Sequence, residues 1–248
     1  MGDLAYLTVI VILFLLLLLA IWIIRNFVKY YVDPLEYEAI RFDQLELKTG
    51  DLLFVRRYSS PHVFLSGEEF SHVAIVVILK GVPYVLELSY PSIYFMPLAR
   101  HILGTGQAQT LYIRKVKNHI NISEKQVEDL LAKANKFKYV DGIGEYYFGL
   151  INKSNAEIIS DLEKERTGIC GSFTLWVLNE LAILRCDDFY KKIGPNLMNW
   201  LLDHANYEPL KRIDFISGTT YLNGSDYFDL VQETLGFKEA NILSESTY

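Results

Sequence analysis

Residues 71–89 read SHVAIVVILKGVPYVLELS, and this stretch carries the strongest fold signal in the chain. Residues 72–79 form an almost continuous apolar run rich in Val and Ile, which predicts a β-strand buried on both faces. Lys80-Gly81 supplies a turn, and residues 84–89 predict the returning arm of an antiparallel hairpin.

Each arm of this hairpin carries one ionisable residue, His72 and Glu87. If Lys80-Gly81 is a two-residue loop, Glu87 faces Ala74 and lies diagonal to His72 on the same face, with Cα atoms about 7–8 Å apart. A shift of one residue would place the two side chains on opposite faces. Two alternatives stay open, a buried His72 bonded to a backbone carbonyl and a Glu87 that faces solvent.

Around the hairpin, predicted strands come first and helices last, which favours an α+β fold with an antiparallel sheet. Further strands are predicted at residues 52–57 and 110–116, with an edge strand at 213–216. Helices are predicted from a capping box at Ser123 and Gln126, and at residues 158–165, 173–184, 195–204 and 227–235.

The first segment is separate from this domain. Residues 5–24 read AYLTVIVILFLLLLLAIWII, and about 20 apolar residues match a hydrocarbon core of about 30 Å. A cleaved signal peptide needs a basic start, an apolar region of about 7–15 residues and a small-residue cleavage site, whereas bulky Trp22 stands here. We therefore predict an uncleaved transmembrane anchor over residues 1–25.

Basic residues follow the apolar segment 5–24 on one side only, since Arg25 and Lys29 come after it and no Lys or Arg stands in residues 1–4. This bias predicts a single-pass membrane protein whose catalytic domain is cytosolic. The opposite topology would make glycosylation acceptors of three sequons, at Asn121, Asn152 and Asn223. Residues 26–44, broken by Asp33-Pro34, are predicted as a juxtamembrane connector, and residues 45–248 as the globular domain.

Composition excludes several classes of protein. The chain has 248 residues, a net charge of −6 and two cysteines, which excludes a disulfide-rich secreted scaffold. If one helix joined Cys170 to Cys186, they would lie about 24 Å apart, so reduced thiols are expected. The acidic balance argues against a nucleic-acid partner. Metal-ligand spacing does not recur, so no metal or cofactor is expected, and the oligomeric state stays open.

Cys170 is the candidate nucleophile, because GICGSF (168–173) leads from a predicted loop into an apolar helix. Unpaired amides and the helix dipole at such a position favour thiolate over thiol. With His72 as base and Glu87 as its orienting acid, a Cys-His-Glu triad is available for acyl transfer. The alternative for Cys170 is a small buried hydrophobe. Four other histidines are predicted at the surface: His62, His101, His119 and His204.

Four motifs follow one another in a characteristic order: TGDLLF (49–54), SHVAIV (71–76), VLEL (85–88) and ICGSF (169–173). Together they resemble the circularly permuted branch of the NlpC/P60 superfamily of papain-like hydrolases. That branch includes lecithin:retinol acyltransferase-like proteins, bacterial permuted amidases and a poxviral group. The resemblance covers about residues 45–184. In ordinary members the cysteine precedes the histidine, whereas the order here is that of the permuted branch.

The resemblance implies a permuted papain-like fold, with an antiparallel sheet packed with helices. It also implies that Cys170 is the nucleophile, His72 the base and Glu87 the orienting acid. An aromatic segment before the nucleophile suggests Tyr146 and Tyr147 as substrate-binding residues, with ordinary core aromatics as the alternative. Many permuted members follow the cysteine with Ser and an acidic residue, so the Gly-Ser-Phe sequence here (171–173) implies different substrate contacts.

Two function hypotheses follow from these observations. The first is a membrane-anchored cysteine hydrolase or acyltransferase acting on an amide or ester, with an acyl or peptide substrate that includes lipids or lipid-modified proteins. The second is a non-catalytic, membrane-tethered structural or interaction protein that keeps a papain-like fold. The second predicts a buried or misaligned Cys170, so the environment of this thiol separates the two.

Overall fold

The computed structural model describes residues 2–27, 37–57, 70–105, 109–117, 121–142, 146, 149–150, 152–192 and 197–214. Within these ranges the chain is mixed α/β, with one nine-stranded sheet and six α-helices. The strands are β1 (Ala39–Arg41), β2 (Leu52–Arg57), β3 (His72–Leu79), β4 (Val82–Ser89), β5 (Ser92–Pro97), β6 (Gln109–Arg114), β7 (Lys138–Tyr139), β8 (Thr167–Gly168) and β9 (Lys211–Asp214). The helices are α1 (Gly2–Phe27), α2 (Leu98–Thr105), α3 (Glu124–Ala134), α4 (Asn155–Glu165), α5 (Cys170–Glu180) and α6 (Leu197–Asp203).

The strand order is β1-β9-β6-β2-β3-β4-β5-β7-β8. Every neighbouring pair from β9 to β7 is antiparallel, which confirms the predicted pairing for the body of the sheet. The two end pairs, β1 with β9 and β7 with β8, are parallel. The strand predicted at the edge, observed as β9, lies inside the sheet because β1 covers it. The sheet thus begins at Ala39, within the segment predicted as a connector. The helix predicted at 227–235 lies outside the described residues.

The central hairpin has the predicted register. Leu79 pairs with Val82, and the ladder continues to Ile75 and Leu86. The two loop residues of this hairpin, Lys80 and Gly81, have φ angles of 52° and 76°. Positive φ at both positions is what a two-residue turn needs to match the twist of the strands.

Both faces of this hairpin are buried, as the apolar run predicts. One face packs against α5 in a cluster that includes Val73, Ile75, Leu86, Phe173 and Val177. The opposite face packs against α2 in a second cluster, which includes Ala74, Val76, Val85, Leu98 and Ile102. Alternate residues of β3 and β4 therefore supply two hydrophobic cores, one on each side of the sheet.

The N-terminal helix α1 is long and apolar enough to cross a membrane. Its span from Tyr6 to Arg25 has a mean hydropathy of 3.4, and none of it is buried against the rest of the chain. The side chains of residues 6–25 are thus available to lipid.

Asp51, which immediately precedes β2, links the loop before β2 to the residues that follow β6. Its Oδ2 accepts a hydrogen bond from the Lys48 N–H at 2.9 Å, and its Oδ1 accepts one from the Val116 N–H at 2.9 Å. Burial raises the pKa of Asp51 to about 6, although these two backbone bonds and the charges of Lys115 and Lys48 act to lower it. The native state therefore binds a proton at Asp51 more tightly than the unfolded chain does.

This shift predicts how Asp51 contributes to stability as pH changes. Its contribution is largest below pH 3.8 and declines by ~3 kcal/mol as pH rises to about 6. Asp51→Asn does not titrate, so the unfolding free energy of wild type minus variant should fall between pH 4 and pH 7. Thermal unfolding of both proteins in detergent at several pH values measures this difference. A difference that stays constant with pH would contradict the prediction.

Candidate active site

Cys170 is the first residue of helix α5. Ile169 precedes the helix with extended backbone angles, and its carbonyl accepts the first intrahelical bond, from the Phe173 N–H at 3.0 Å. The amides of Cys170 and Gly171 therefore precede the first intrahelical hydrogen bond. They give this end of α5 the positive pole of the helix dipole, next to the thiol.

Aromatic side chains that follow Cys170 in helix α5 pack the helix against its neighbours. The Phe137 ring lies 4.7 Å from the Trp176 ring and 5.8 Å from the Phe173 ring, centroid to centroid. The Trp176 indole N–H donates a hydrogen bond to Glu163 on α4 at 3.1 Å. These contacts hold the helix that carries Cys170 rigidly against its neighbours.

His72 and Glu87 meet as the register predicts. The His72 Nε2 atom lies 2.7 Å from the Glu87 Oε2 atom, and both side chains are buried. The burial of Glu87 rules out the solvent-facing alternative. His72 pairs with Val55 of β2, and this places it at the first residue of β3.

Cys170 acts on the same imidazole, since its charge and its side-chain hydrogen bond are two of the causes that raise the pKa of His72. Because Nε2 is engaged by Glu87, Nδ1 is the ring nitrogen left for the thiol. Burial lowers the pKa of His72, but the charge of Cys170, the hydrogen bonds of Cys170 and Glu87, and the Glu87 charge together raise it to about 10. The arrangement thus stabilises the imidazolium form of His72.

A second histidine reaches the same carboxylate. The His101 Nδ1 atom lies 3.8 Å from the Glu87 Oε2 atom, and His101 is 3 % exposed. The prediction of a surface His101 is therefore wrong, because α2 was not predicted and packs this residue onto the sheet. The spacing of Leu98, His101 and Ile102 was the available signal, since positions i, i+3 and i+4 share one helix face.

His204 is also buried, so the prediction that it lies at the surface is wrong. Its Nε2 atom lies 3.0 Å from an oxygen of Asp188, and its Nδ1 atom accepts the Asn206 N–H at 3.2 Å. Burial lowers the pKa of His204, although the Asp188 charge and hydrogen bond act to raise it. Both ring nitrogens of His204 therefore form hydrogen bonds within the fold, which is typical of a histidine with a structural role. His62 and His119 lie outside the described residues.

Of the two tyrosines predicted to bind substrate, only Tyr146 lies within the described residues. The Tyr146 hydroxyl donates a hydrogen bond to Ser172 Oγ at 3.0 Å, and the ring packs against the core cluster around α5. This ring packing is what the alternative of an ordinary core aromatic expects. Tyr147 lies outside the described residues. Among the described residues, no group of three or more His, Cys, Asp or Glu side chains is arranged to hold a metal ion.

Comparison with known proteins adds little to this geometry. No protein-family model matches the chain, and no curated protein matches it in sequence. Among solved structures, the fold of this chain is similar to the crystal structure of the metalloprotein yiiX from Escherichia coli O157:H7, described as DUF1105. The two share 17% identity over 67% of this chain and 89% of that one, with a TM-score of 0.35. A likeness at this score does not bear on function.

Proposed function

We propose that this chain is a membrane-anchored cysteine hydrolase or acyltransferase of the permuted papain-like type, which uses Cys170, His72 and Glu87 as a catalytic triad. One observation carries the proposal. One buried imidazole bonds to a buried carboxylate at 2.7 Å and also interacts with the thiol at a helix N-terminus. Three such groups in series are what nucleophilic acyl transfer requires.

The nucleophile is activated by proton transfer within the pair. The Cys170 thiol gives its proton to His72 Nδ1, and Glu87 accepts a hydrogen bond from the opposite nitrogen and stabilises the resulting imidazolium. The thiolate then attacks the carbonyl carbon of an ester or amide. The amide of Cys170 at the start of α5 is available to stabilise the oxyanion that forms.

The imidazolium completes the reaction. It returns its proton to the departing alcohol or amine, which leaves a thioester on Cys170. Water, or a second alcohol or amine acceptor, loses a proton to His72 and attacks the thioester carbonyl. The acid or the transferred acyl product then leaves, and the proton held by His72 returns to the sulfur and restores the thiol. Water as the acceptor gives a hydrolase and another nucleophile gives an acyltransferase.

The substrate class follows from the anchor. The charge bias after α1 supports a single-pass topology with a cytosolic domain. An anchored domain works beside the bilayer, so a lipid or a lipid-modified protein is the proposed source of the acyl group. Cleavage of soluble peptides together with no activity on any membrane-derived acyl substrate would reject this part of the proposal.

The non-catalytic alternative is favoured by one observation, which is that Cys170 is only 5% exposed. A structural protein that retains this fold would need no accessible thiolate. The two hypotheses therefore differ in whether a small electrophile reaches Cys170 and in whether His72 controls that reaction.

Alkylation across pH tests the pair directly. In the Cys186→Ser background, iodoacetamide should modify Cys170 at a nearly constant rate from pH 6 to 9, because the raised pKa of His72 keeps the imidazolium beside the thiolate. His72→Gln should lower the rate at pH 6.5 by about 10–100-fold and make it rise steeply with pH. Mass spectrometry of the detergent-solubilised full chain measures both rates.

Two controls accompany this experiment. The denatured Cys186→Ser protein gives the intrinsic pH dependence of the same thiol. His204→Gln, in the same background, replaces a buried histidine that contacts Asp188 instead of the triad. Unreactive Cys170 in the folded protein, or a rate that does not depend on His72, would support the non-catalytic alternative.

A further inference from the structure

We propose that Tyr146 and Ser172 are positioning residues for Cys170, and that the Tyr146 hydroxyl acts through Ser172 on the nucleophile instead of contacting the substrate. This inference rests on the proposed function. It gives Tyr146 a different role from the substrate-binding one that the sequence suggested. It also assigns a role to Ser172, a residue of the ICGSF motif (169–173) for which the sequence-based predictions had no individual role.

Ser172 binds both backbone groups of the residue that precedes the nucleophile. Its Oγ accepts the Ile169 N–H at 3.1 Å and donates to the Ile169 carbonyl at 3.0 Å. The Ser172 side chain is completely buried. The hydroxyl therefore fixes the peptide units on either side of Ile169, and with them the point where Cys170 leaves the extended chain and enters α5.

Tyr146 completes the bonding of this hydroxyl. Ser172 Oγ has one proton and two lone pairs, and Ile169 takes the proton and one lone pair. The Tyr146 O–H donates to the second lone pair at 3.0 Å. Burial raises the pKa of Tyr146, although the bond to Ser172 acts to lower it, so the phenol keeps its proton and remains a donor at neutral pH.

Close packing leaves this pair little freedom to move. A Cβ atom added at Gly168 would lie 2.7 Å from Ser172 Oγ, 3.3 Å from the Tyr146 hydroxyl and 2.4 Å from Leu162 Cδ1. The two hydroxyls and Leu162 thus fill the space beside Gly168 and leave no room for a side chain there. The strand that precedes the nucleophile, the first turn of α5 and Tyr146 form one packed unit.

The proposal predicts a change in kcat without a change in KM. Losing the Tyr146 hydroxyl leaves Ser172 Oγ with an unfilled lone pair, which loosens Ile169 and shifts Cys170 relative to His72. Small displacements of reacting groups cost up to about 10²-fold in rate. We expect Tyr146→Phe to lower kcat about 10-fold on 4-nitrophenyl octanoate in detergent, with KM within about 2-fold of wild type.

A double-mutant cycle tests whether Tyr146 acts through Ser172. If it does, Tyr146→Phe/Ser172→Ala should have the same kcat as Ser172→Ala alone, because the second change removes nothing further. Two matched controls lose a comparable hydroxyl elsewhere. Tyr207→Phe removes a buried O–H that donates to the Gly50 carbonyl at 2.8 Å, and Ser154→Ala removes the hydroxyl that caps α4. Both should lower the thermal midpoint and leave kcat unchanged.

A second readout keeps this inference separate from the proposed function. The rate of Cys170 alkylation at pH 7, in the Cys186→Ser background, requires no turnover. A change of this rate in the same direction for Tyr146→Phe and Ser172→Ala, at least as large for Ser172→Ala, would support the positioning role even if no acyl substrate is cleaved. An alkylation rate equal to that of wild type in Tyr146→Phe would overturn it. A Tyr146→Phe enzyme with raised KM and unchanged kcat would also overturn it, because that result indicates direct substrate contact.

Discussion

Cys170→Ala is expected to abolish turnover of 4-nitrophenyl octanoate, with kcat/KM lower by about 10³-fold or more. The reason is that a thioester requires a thiol, whereas His72 and Glu87 supply only proton transfer and orientation. Hydrolysis is followed by release of 4-nitrophenol from the detergent-solubilised full chain. Wild type mixed rapidly with excess ester should also gain the mass of one acyl group, whereas the variant should not.

The matched control is Cys186→Ala, which removes the only other thiol in the chain. It should retain wild-type kcat/KM and the acyl adduct. Thermal unfolding shows whether Cys170→Ala remains folded, as expected for a change that removes a single sulfur from a helix held by its aromatic contacts. Turnover in a folded Cys170→Ala protein would remove Cys170 from the mechanism.

Glu87→Gln is expected to lower kcat by about 10²–10⁴-fold while the protein stays folded. The amide has nearly the same shape as the carboxylate but lacks its charge, and Glu87 is one of the groups that raise the pKa of His72. Without that charge the pKa of His72 falls, so the imidazolium loses its proton at lower pH. The alkaline limb of kcat/KM should therefore move to lower pH in the variant. Rates measured from pH 5 to 10.5 test this shift.

Glu157→Gln is a suitable control for the Glu87 experiment. Glu157 caps α4 by accepting the Ser154 N–H at 2.7 Å, and it is exposed. The same isosteric change there should cost some stability and leave the pH profile unchanged. An alkaline limb that does not move in Glu87→Gln would mean that Glu87 orients His72 without setting its charge.

The hairpin shows what could be predicted from sequence. Its register follows from a two-residue turn at Lys80-Gly81, and turn length alone places Glu87 beside His72. The start of α5 was harder to place. Apolar periodicity begins at Phe173, but the helix begins at Cys170. The reason is that the Ser172 hydroxyl binds the backbone of the residue before Cys170. A capping hydrogen bond of this kind does not change the spacing of the apolar residues, so the hydrophobic pattern does not show where the helix begins.

The features that sequence reasoning missed depend on long-range packing. Helix α2 is short, and its apolar positions are informative only once the sheet face that they cover is known. The pairing of β1 with β9 joins residues 39–41 to residues 211–214, and no local pattern specifies such a distant parallel partner. The burial of His101 was not predicted, because it depends entirely on where α2 packs.

The place of β1 in the sheet also has a mechanical consequence. Residues 28–38 join α1 to β1, so any tension that a bilayer exerts on the domain enters the sheet at this three-residue terminal strand. Three strands, β9, β6 and β2, separate β1 from the strand that carries His72. Pulling at the anchor would therefore detach β1 from β9 first, before the load passed along the chain to β2, the strand that pairs with β3.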